Sequence, residues 1–220
     1  MRNNKWIYIL GSGGMAREAL GIYRDLNQLK NVFGFIEENC KRSGTKIHDK
    51  IIMDATIIKK LNKNSIFIGA IGSPKRKKLI KTIESNGFSF HTLIHPSAII
   101  GKNVNIGKGC IICSQTNLTC DIEIGFHSIV NIGSTISHDC KIGSFVTISP
   151  GVNIGGNVEI GDECWIGIGA KIINKVKIGK GSFIGAGAVV TKNIPKNVLA
   201  VGIPAKVIKK LSVSDWEKLI

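Results

Sequence analysis

Two adjacent residues near the middle of the chain could act together in proton transfer. His138 is followed directly by Asp139 within the run SHDCKIG. An imidazole titrates near neutral pH, and a carboxylate beside it can fix its tautomer and stabilise its protonated form. The pair therefore predicts a general base. The alternative is an exposed histidine on a solvated face.

A second stretch, GSGGMA at positions 11–16, follows an apolar run and opens an amphipathic one. Glycines at such a turn let backbone amides approach a phosphate, and the helix N-terminus favours its negative charge. Glu37, at the end of the next apolar run, could accept a hydrogen bond from a ribose hydroxyl. A tight strand–helix turn without a ligand is the alternative. Because this half of the chain is short for a full dinucleotide fold, a nucleoside diphosphate carrying a smaller group fits better than NAD.

The elements that must position this turn lie in residues 1–92. The segments KWIYIL, NVFGFIEEN and NSIFIGAIG read as buried strands, and REALGIYRDL and SPKRKKLIKTIESNG read as helices. Alternating strands and helices of this kind predict a small parallel sheet. We therefore expect an α/β, Rossmann-like half domain over residues 1–92.

A strict six-residue repeat positions the His138–Asp139 pair. Every sixth residue from Ile100 to Val190 is aliphatic, sixteen in succession, and glycine follows nine of them. A period of six excludes an amphipathic α-helix and is typical of a parallel β-helix with three short strands per coil. We interpret the glycine as the residue that permits each corner. The pattern predicts about five coils over residues 93–208. Residues 209–220 read as a short helix, which the capping box Ser214-x-x-Glu217 opens.

One coil corresponds to eighteen residues, so the coil neighbours of His138 are Cys120 and Gly156. Gly156 would leave space beside the imidazole. Successive residues of a strand point to opposite faces, so His138 and Asp139 can cooperate only near a corner of the coil.

The composition narrows the range of partners. The net charge is +15, which favours anionic ligands. Lysine supplies most of the basic residues and aromatic residues are few, so we expect phosphorylated small molecules rather than nucleic acid. No apolar stretch approaches a membrane span and no signal peptide is evident, so we expect a cytoplasmic protein without membrane insertion.

Neither the cysteines nor the histidines form a metal-site pattern. Cys110, Cys140 and Cys164 occupy small inward positions of the repeat, and only His127 and His138 lie in the coils. A zinc site would need more converging ligands, so we expect no metal.

The glycine-rich opening, SHDCKIG, SPGVNIGG, IGAGAVVTKNIP and VGIPAK together resemble the NeuD/PglD-type sugar O/N-acyltransferases, a family that includes sialic acid O-acetyltransferases. These are hexapeptide-repeat acetyltransferases with a left-handed β-helix, and the resemblance covers nearly the whole chain. It implies a homotrimer with acetyl-CoA lying along the β-helix between neighbouring subunits. It also implies that the N-terminal domain holds a nucleotide-activated or sialic-acid-like sugar.

The resemblance also implies site residues. His138 matches the family's general base and Asp139 the acid beside it. The expected substrate-binding residues are Ser12, Gly13, Gly14, Glu37, Gly72 and Ser73. The expected CoA contacts are Thr147, Gly156, Ile168, Gly185 and Ala186. The chain departs from the family's pattern at Met15 and Thr147, where family members often have His.

These features predict direct acetyl transfer from acetyl-CoA to the amino group of a UDP- or GDP-linked amino sugar, as in surface glycan biosynthesis. O-acetylation of sialic acid or a related sugar is the alternative within the same class. A non-catalytic partner that binds a sugar nucleotide and an NAD-dependent enzyme are alternatives of other classes. A covalent acetyl-enzyme at Cys113 or Cys120 is a weaker scheme than direct transfer.

Overall fold

The computed structural model describes residues 5–38, 40–74 and 76–212, together with Asp215 and Leu219. The N-terminal part is an α/β domain with six strands and two helices. Its strands are β1 (Ile7–Leu10), β2 (Val32–Glu37), β3 (Lys46–Ile47), β4 (Lys50–Asp54), β5 (Ile66–Gly69) and β6 (Ser89–Phe90). Its helices are α1 (Gly14–Asp25) and α2 (Arg76–Ser85), with short 3₁₀ turns at Leu29–Asn31 and Ala55–Lys60.

The sheet of this domain has the order β3-β4-β2-β1-β5-β6, and only the β3–β4 pair is antiparallel. Strands β1, β2 and β5 are largely apolar and buried, as expected for parallel strands covered on both faces. The chain leaves β1 first toward β2 and later toward β5. This reversal brings the loops after β1, β2 and β5 to one crevice at their carboxyl ends, where ligands of such sheets bind.

Residues 93–210 form a left-handed parallel β-helix that ends in one antiparallel strand. Its strands, in chain order, are β7 (Leu93–Ile94), β8 (Ile99–Ile100), β9 (Val104–Ile106), β10 (Ile111–Ile112), β11 (Asn117–Leu118), β12 (Ile122–Ile124), β13 (Ile129–Val130), β14 (Thr135–Ile136), β15 (Lys141–Ile142), β16 (Thr147–Ile148), β17 (Asn153–Ile154), β18 (Glu159–Ile160), β19 (Trp165–Ile166), β20 (Lys171–Ile172), β21 (Lys177–Ile178), β22 (Phe183–Ile184), β23 (Val189–Val190), β24 (Val198–Val201) and β25 (Lys206–Lys210).

These strands form three faces. The first face has the order β25-β24-β22-β19-β16-β13-β10-β7, the second β23-β20-β17-β14-β11-β8 and the third β21-β18-β15-β12-β9. The third face has five strands, so five coils are complete, as the repeat predicts. Stacked strands are eighteen residues apart, and the inward aliphatic residues form one buried core.

The corners correct our interpretation of the repeat glycines. A left-handed φ recurs every six residues, but two positions after the expected glycine, at residues such as Asn103, Asp121, Asp139 and Asn157. The repeat glycines themselves have no left-handed φ; a Cβ on Gly143, for example, would lie 2.6 Å from the backbone nitrogen of Asp162. These glycines are therefore needed because the next coil approaches closely, whereas the corner itself accepts Asn, Asp and other residues.

The α/β domain packs on the first face of the β-helix. Ile111, Cys113 and Ile129 of that face join Ala16 and Ala19 of α1 in one apolar cluster. Neither helix of the described part of the chain has the length and apolar character that crossing a bilayer requires.

The structure near the C-terminus differs in part from the short helix that the sequence predicts over residues 209–220. Strand β25 pairs antiparallel with β24, so Lys209 and Lys210, the first residues of the range predicted as helix, lie in a strand. The capping-box residues Ser214 and Glu217 lie outside the described residues.

Candidate active site

His138 and Asp139 lie at the corner between the second and third faces. Asp139 is the corner residue itself, with φ 58°, and its Oδ2 lies 2.7 Å from Nδ1 of His138. The corner conformation interrupts the strand alternation, so adjacent side chains can meet. Both side chains are about half exposed, at 52% and 54%. The carboxylate accepts a hydrogen bond from Nδ1, which leaves Nε2 of the imidazole free to accept a proton.

The coil that follows provides the space for this imidazole. A Cβ on Gly156 would lie 2.6 Å from both Cε1 and Nε2 of His138. The ring itself therefore leans into the space that Gly156 leaves. One coil further on, Asn174 accepts a hydrogen bond from the Gly156 amide at 3.1 Å and fixes that backbone.

The surroundings of Asp139 are mainly acidic. A cavity of about 390 Å³ beside it is lined by the side chains of Asp121, Glu123 and Glu159, with Lys141 as the basic residue in the lining. An excess of carboxylates favours a cationic group over an anionic one, such as the ammonium form of an amino sugar.

A separate pocket of about 530 Å³ opens at the carboxyl ends of β1, β2 and β5. Its lining brings together five of the six residues that the sequence predicts to bind substrate: Ser12, Gly13, Gly14, Glu37 and Gly72. Ser73, the sixth, is the next residue after Gly72 in the chain.

The glycine-rich turn leaves its side of this pocket open. A Cβ on Gly13 or Gly14 would meet no atom of the described residues within 4 Å. Gly13 precedes α1 without a side-chain cap, and the first turn of α1 carries no acidic residue. The first backbone amides of a helix lack partners within it, so they can bind an anion such as a phosphate.

Glu37 is held in the pocket by three neighbours. The Ser12 hydroxyl donates a hydrogen bond to it, Cys40 Sγ lies at 3.2 Å and Arg42 Nη2 at 3.0 Å. Burial acts to raise the pKa of Glu37, but the hydrogen bonds from Ser12 and Cys40 and the charge of Arg42 outweigh it and lower the pKa. Glu37 is therefore an ionised acceptor at neutral pH. Arg42, which also contacts Ser12, was missed by the sequence interpretation, although it lies only five residues after Glu37.

Comparisons with known proteins agree with both parts of the fold. Residues 6–83 match the model of the PglD N-terminal domain, and residues 157–192 match that of the bacterial transferase hexapeptide (six repeats). The solved structure of WeeI from Acinetobacter baumannii AYE is 33% identical, with 92% of this chain and 99% of that chain covered and a TM-score of 0.86. The chain belongs to the PglD-type sugar acetyltransferases. A comparison with curated proteins finds no match.

Two further structures similar to this PglD-type acetyltransferase contain ligands. A His-to-Asn variant of perosamine N-acetyltransferase from Caulobacter crescentus, in complex with CoA and GDP-perosamine, is 29% identical, with 93% and 97% of the two chains covered and a TM-score of 0.87. The acetyltransferase domain of PglB from Neisseria gonorrhoeae FA1090, in complex with acetyl coenzyme A, is 26% identical, with 94% and 100% covered and a TM-score of 0.84.

The residues expected to bind CoA lie in different parts of the PglD-type β-helix. Gly156 lies beside His138. Ile168 and Ala186, one coil apart, lie at the corner between the first and second faces, and the Ile168 side chain is 61% exposed. A Cβ on Gly185 would lie 2.7 Å from Val201, so this glycine serves close packing against β24.

Thr147 occupies a different environment from the one expected. Its side chain is 2% exposed, and its hydroxyl bonds the α/β domain through Gly72 and Arg76. The CoA contact that the resemblance implies for Thr147 does not fit this placement, because the side chain is buried between the two domains.

The cysteines of this PglD-type acetyltransferase are poor nucleophiles. Burial raises the pKa of Cys113 to about 12 and that of Cys164 to about 12. Desolvation and the carboxylates of Asp121 and Asp139 also raise the pKa of Cys120. A thiolate is the reactive form, so the geometry favours direct transfer over a cysteine-bound acetyl group. Within the described part of the chain, no three His, Cys, Asp or Glu side chains are grouped to hold a metal ion.

Proposed function

We propose that the chain transfers the acetyl group of acetyl-CoA to the amino group of a nucleotide-linked amino sugar, for surface glycan biosynthesis. The observation that carries this proposal is the His138–Asp139 pair, which leaves Nε2 of an exposed imidazole free at a corner of an acetyltransferase β-helix. The open glycine-rich pocket supports a nucleotide as the handle of the substrate.

In the proposed reaction, the neutral amine of the sugar attacks the thioester carbonyl of acetyl-CoA. Nε2 of His138 takes the proton that the nitrogen loses as the new C–N bond forms. The C–S bond then breaks, and the imidazolium returns its proton to the leaving thiolate. Asp139 holds the imidazole in the tautomer that this step needs and stabilises the imidazolium.

Two observations favour an amine over a hydroxyl acceptor. The carboxylates beside Asp139 favour the approach of an ammonium group, which loses one proton to solvent before it attacks. The similar Caulobacter crescentus enzyme is an N-acetyltransferase that binds CoA and GDP-perosamine. UDP and GDP have the same ribose and diphosphate groups. An assay is therefore needed to distinguish UDP-linked from GDP-linked sugars as substrates.

We also propose that the protein is a homotrimer with acetyl-CoA between neighbouring subunits. The α/β domain covers the first face of the β-helix, whereas the second and third faces present many exposed side chains. The corner between the first and second faces carries exposed Ile132 and Ile168, an apolar strip on which a second subunit or the apolar part of CoA can pack. Light scattering on the purified protein measures the number of subunits.

The decisive experiment is a panel of acceptors incubated with acetyl-CoA. UDP-amino sugars, GDP-amino sugars and free sialic acid are compared by thiol release and by the mass of the product. We expect an added acetyl group on the nitrogen of at least one nucleotide-linked amino sugar. Acetylation confined to the hydroxyl groups of sialic acid would overturn the amine assignment.

Replacement of His138 tests the mechanism separately. His138→Ala should keep its melting temperature, because the side chain is half exposed, while kcat falls by roughly 10²–10⁴-fold, as is typical for loss of a general base. Turnover equal to that of the wild type would exclude His138 as the base.

A further inference from the structure

Three residues join the two domains at the wall of the glycine-rich pocket. The Thr147 hydroxyl, from the first face of the β-helix, donates a hydrogen bond to the Gly72 carbonyl at 2.6 Å. Nη1 of Arg76, the first residue of α2, donates to the same Thr147 oxygen at 2.8 Å and to the Gly72 carbonyl at 3.0 Å. The three groups form a closed triangle that uses both the donor and an acceptor site of the hydroxyl.

The guanidinium of Arg76 is buried among neutral groups. Arg76 is 1% exposed, and its other hydrogen bonds go to the backbone carbonyls of His127, Val146 and Ile71. No carboxylate pairs with Arg76 among the residues that the structure describes. Burial lowers the pKa of Arg76 to about 9.

A buried cation without an anion is a costly way to hold two domains together, since apolar residues would pack there without desolvating a charge. The planar guanidinium does offer several donors in fixed directions, which apolar side chains do not. The arrangement therefore indicates that the guanidinium of Arg76 sets the orientation of the groups that accept its hydrogen bonds.

Those acceptors belong to the pocket wall on one side and to the coils of the β-helix on the other. Gly72 and Arg76 both line the pocket of the glycine-rich turn. Ile71 also contacts the turn directly, since a Cβ on Gly11 would lie 2.8 Å from its Cγ1. Thr147 follows His138 by nine residues along the β-helix. The triangle thus connects the pocket to the part of the β-helix that carries the imidazole.

We propose that Thr147 and Arg76 are positioning residues that fix the Gly72 wall of the nucleotide-sugar pocket relative to the coils of His138. This inference rests on the proposed function, and it gives Thr147 a role toward the sugar nucleotide instead of CoA. Loss of the triangle lets the Gly72 loop shift, which weakens nucleotide-sugar binding and leaves acetyl-CoA binding unchanged. A merely structural contact would change the melting temperature and leave both Michaelis constants unchanged.

The test compares Thr147→Val with Thr147→Ser in the full-length protein. Valine has nearly the same shape but lacks the hydroxyl, whereas serine keeps it. Thr82→Val is the matched control, because the Thr82 hydroxyl on α2 bonds, among the described residues, only the Lys78 carbonyl of its own helix. Calorimetry with UDP and GDP gives the dissociation constants, and steady-state assays give KM for the sugar nucleotide and for acetyl-CoA.

We expect Thr147→Val to raise the dissociation constant of the bound nucleotide and the KM of the sugar about tenfold, an effect in the range of one well-placed hydrogen bond. Thr147→Ser and Thr82→Val should stay within about twofold of the wild type, since the hydrogen bonds to Gly72 persist in both. Unchanged nucleotide binding in Thr147→Val, or a raised KM for acetyl-CoA alone, would overturn the inference.

A second variant keeps the proposal testable if Thr147→Val does not fold. Arg76→Lys retains the charge but cannot bond all the acceptors at once, so the same rise in the sugar KM is expected, and normal sugar KM would overturn the inference. If the wild-type protein binds neither UDP nor GDP, the proposed function fails and the inference falls with it. If the wild type binds and the variants bind equally well, only the inference fails.

Discussion

The imidazole of His138 lies against the backbone of Gly156, one coil further along the β-helix. A Cβ at Gly156 would come within 2.6 Å of Nε2, the nitrogen that remains free when Asp139 holds Nδ1. Gly156 has no left-handed φ, so its backbone conformation does not require glycine. The requirement is space, and the candidate catalytic centre is therefore built from two successive coils.

We predict that Gly156→Ala folds normally but loses activity. The atoms that clash with the new methyl group belong to the end of an exposed side chain, which can turn away at little cost. Because the displaced Nε2 no longer meets the amine, kcat should fall by roughly 10- to 100-fold, as for other misplacements of about 1 Å. Thermal melting and steady-state kinetics check both parts. Gly21→Ala on α1, where the new methyl has room, is the control. A stable Gly156→Ala protein with normal kcat would show that the position of the ring does not limit the reaction.

We predict that Asp139→Asn lowers kcat and leaves the fold intact. Asparagine tolerates the left-handed φ of 58° at this corner, so the coil should remain intact. The amide can no longer select the tautomer or stabilise the imidazolium, so kcat should fall by roughly 10²-fold or more. The measurement is kcat at several pH values, together with the melting temperature. Asp162→Asn, the same change one residue before the corner residue Glu163, should leave kcat unchanged. An Asp139→Asn variant with full activity would contradict the role given to the pair.

Much of the β-helix could be predicted because its core repeats locally. Each inward aliphatic residue packs against its equivalent eighteen residues away, so the period alone places His138 over Gly156. The α/β alternation likewise places Ser12 and Glu37 at neighbouring strand ends, and the structure brings them into contact. The repeat does not show which residue turns the corner. The two candidates are the position directly after each inward aliphatic residue and the position two residues beyond it, and both often carry small or polar residues.

The contacts between the domains could not be predicted in the same way. The face that the α/β domain covers depends on packing between segments about 70 residues apart, such as Arg76 with Val146 and Thr147. A single threonine in an otherwise apolar strand position gives no sign of the partner that will bury it. The CoA contact expected for Thr147 rests on the family resemblance alone, and nothing in the sequence distinguishes Arg76 from the other basic residues.

We predict that Glu37→Gln raises KM for the sugar nucleotide and leaves KM for acetyl-CoA unchanged. The ionised carboxylate is the stronger acceptor for a ribose hydroxyl, and a lost hydrogen bond to a charged group costs about 1.5–3 kcal/mol, roughly a 10- to 100-fold change. Steady-state kinetics with each substrate varied separately measures the effect, and the acetyl-CoA constant serves as the internal control. Equal sugar KM values in the two proteins would remove Glu37 from the binding site.

The lowered pKa of Glu37 also predicts how sugar binding depends on pH. Because the pKa of Glu37 in the folded protein lies below the ordinary value of 4.5, the carboxylate stays ionised at all higher pH and becomes protonated only when the pH falls below that value. The Glu37 contribution to sugar KM should therefore stay constant between pH 8 and about pH 5. It is measured as the ratio of KM for Glu37→Gln to that for the wild type at each pH. A ratio that declines already between pH 7 and pH 6 would contradict the assigned direction of the shift.

A buried pair in the α/β domain predicts a loss of stability in mild acid. The Tyr23 hydroxyl, on α1, is hydrogen-bonded to Nε2 of His91, and the two rings stack. Burial raises the pKa of Tyr23, so its hydroxyl stays protonated and donates to a neutral imidazole. Burial, with a smaller effect of Lys5, lowers the pKa of His91 from 6.5 to about 4. Between these two values the unfolded chain binds a proton at His91 that the folded protein does not.

The free energy of unfolding should therefore fall as pH decreases from about 6.5 to about 4, and His91 alone should account for about 2 kcal/mol between pH 7 and pH 5. For a chain of this length that corresponds to a decrease in Tm of roughly 4–8 °C.

His91→Gln removes the titration while its amide oxygen can still accept a hydrogen bond from Tyr23, so its Tm should decrease less than that of the wild type over the same pH range. The exposed His48, changed to Gln, is the matched control and should follow the wild type. Differential scanning calorimetry at pH 7 and pH 5 on the three proteins measures the difference. An equal decrease in Tm for His91→Gln and the wild type would show that the buried His91 does not set the acid sensitivity of the fold.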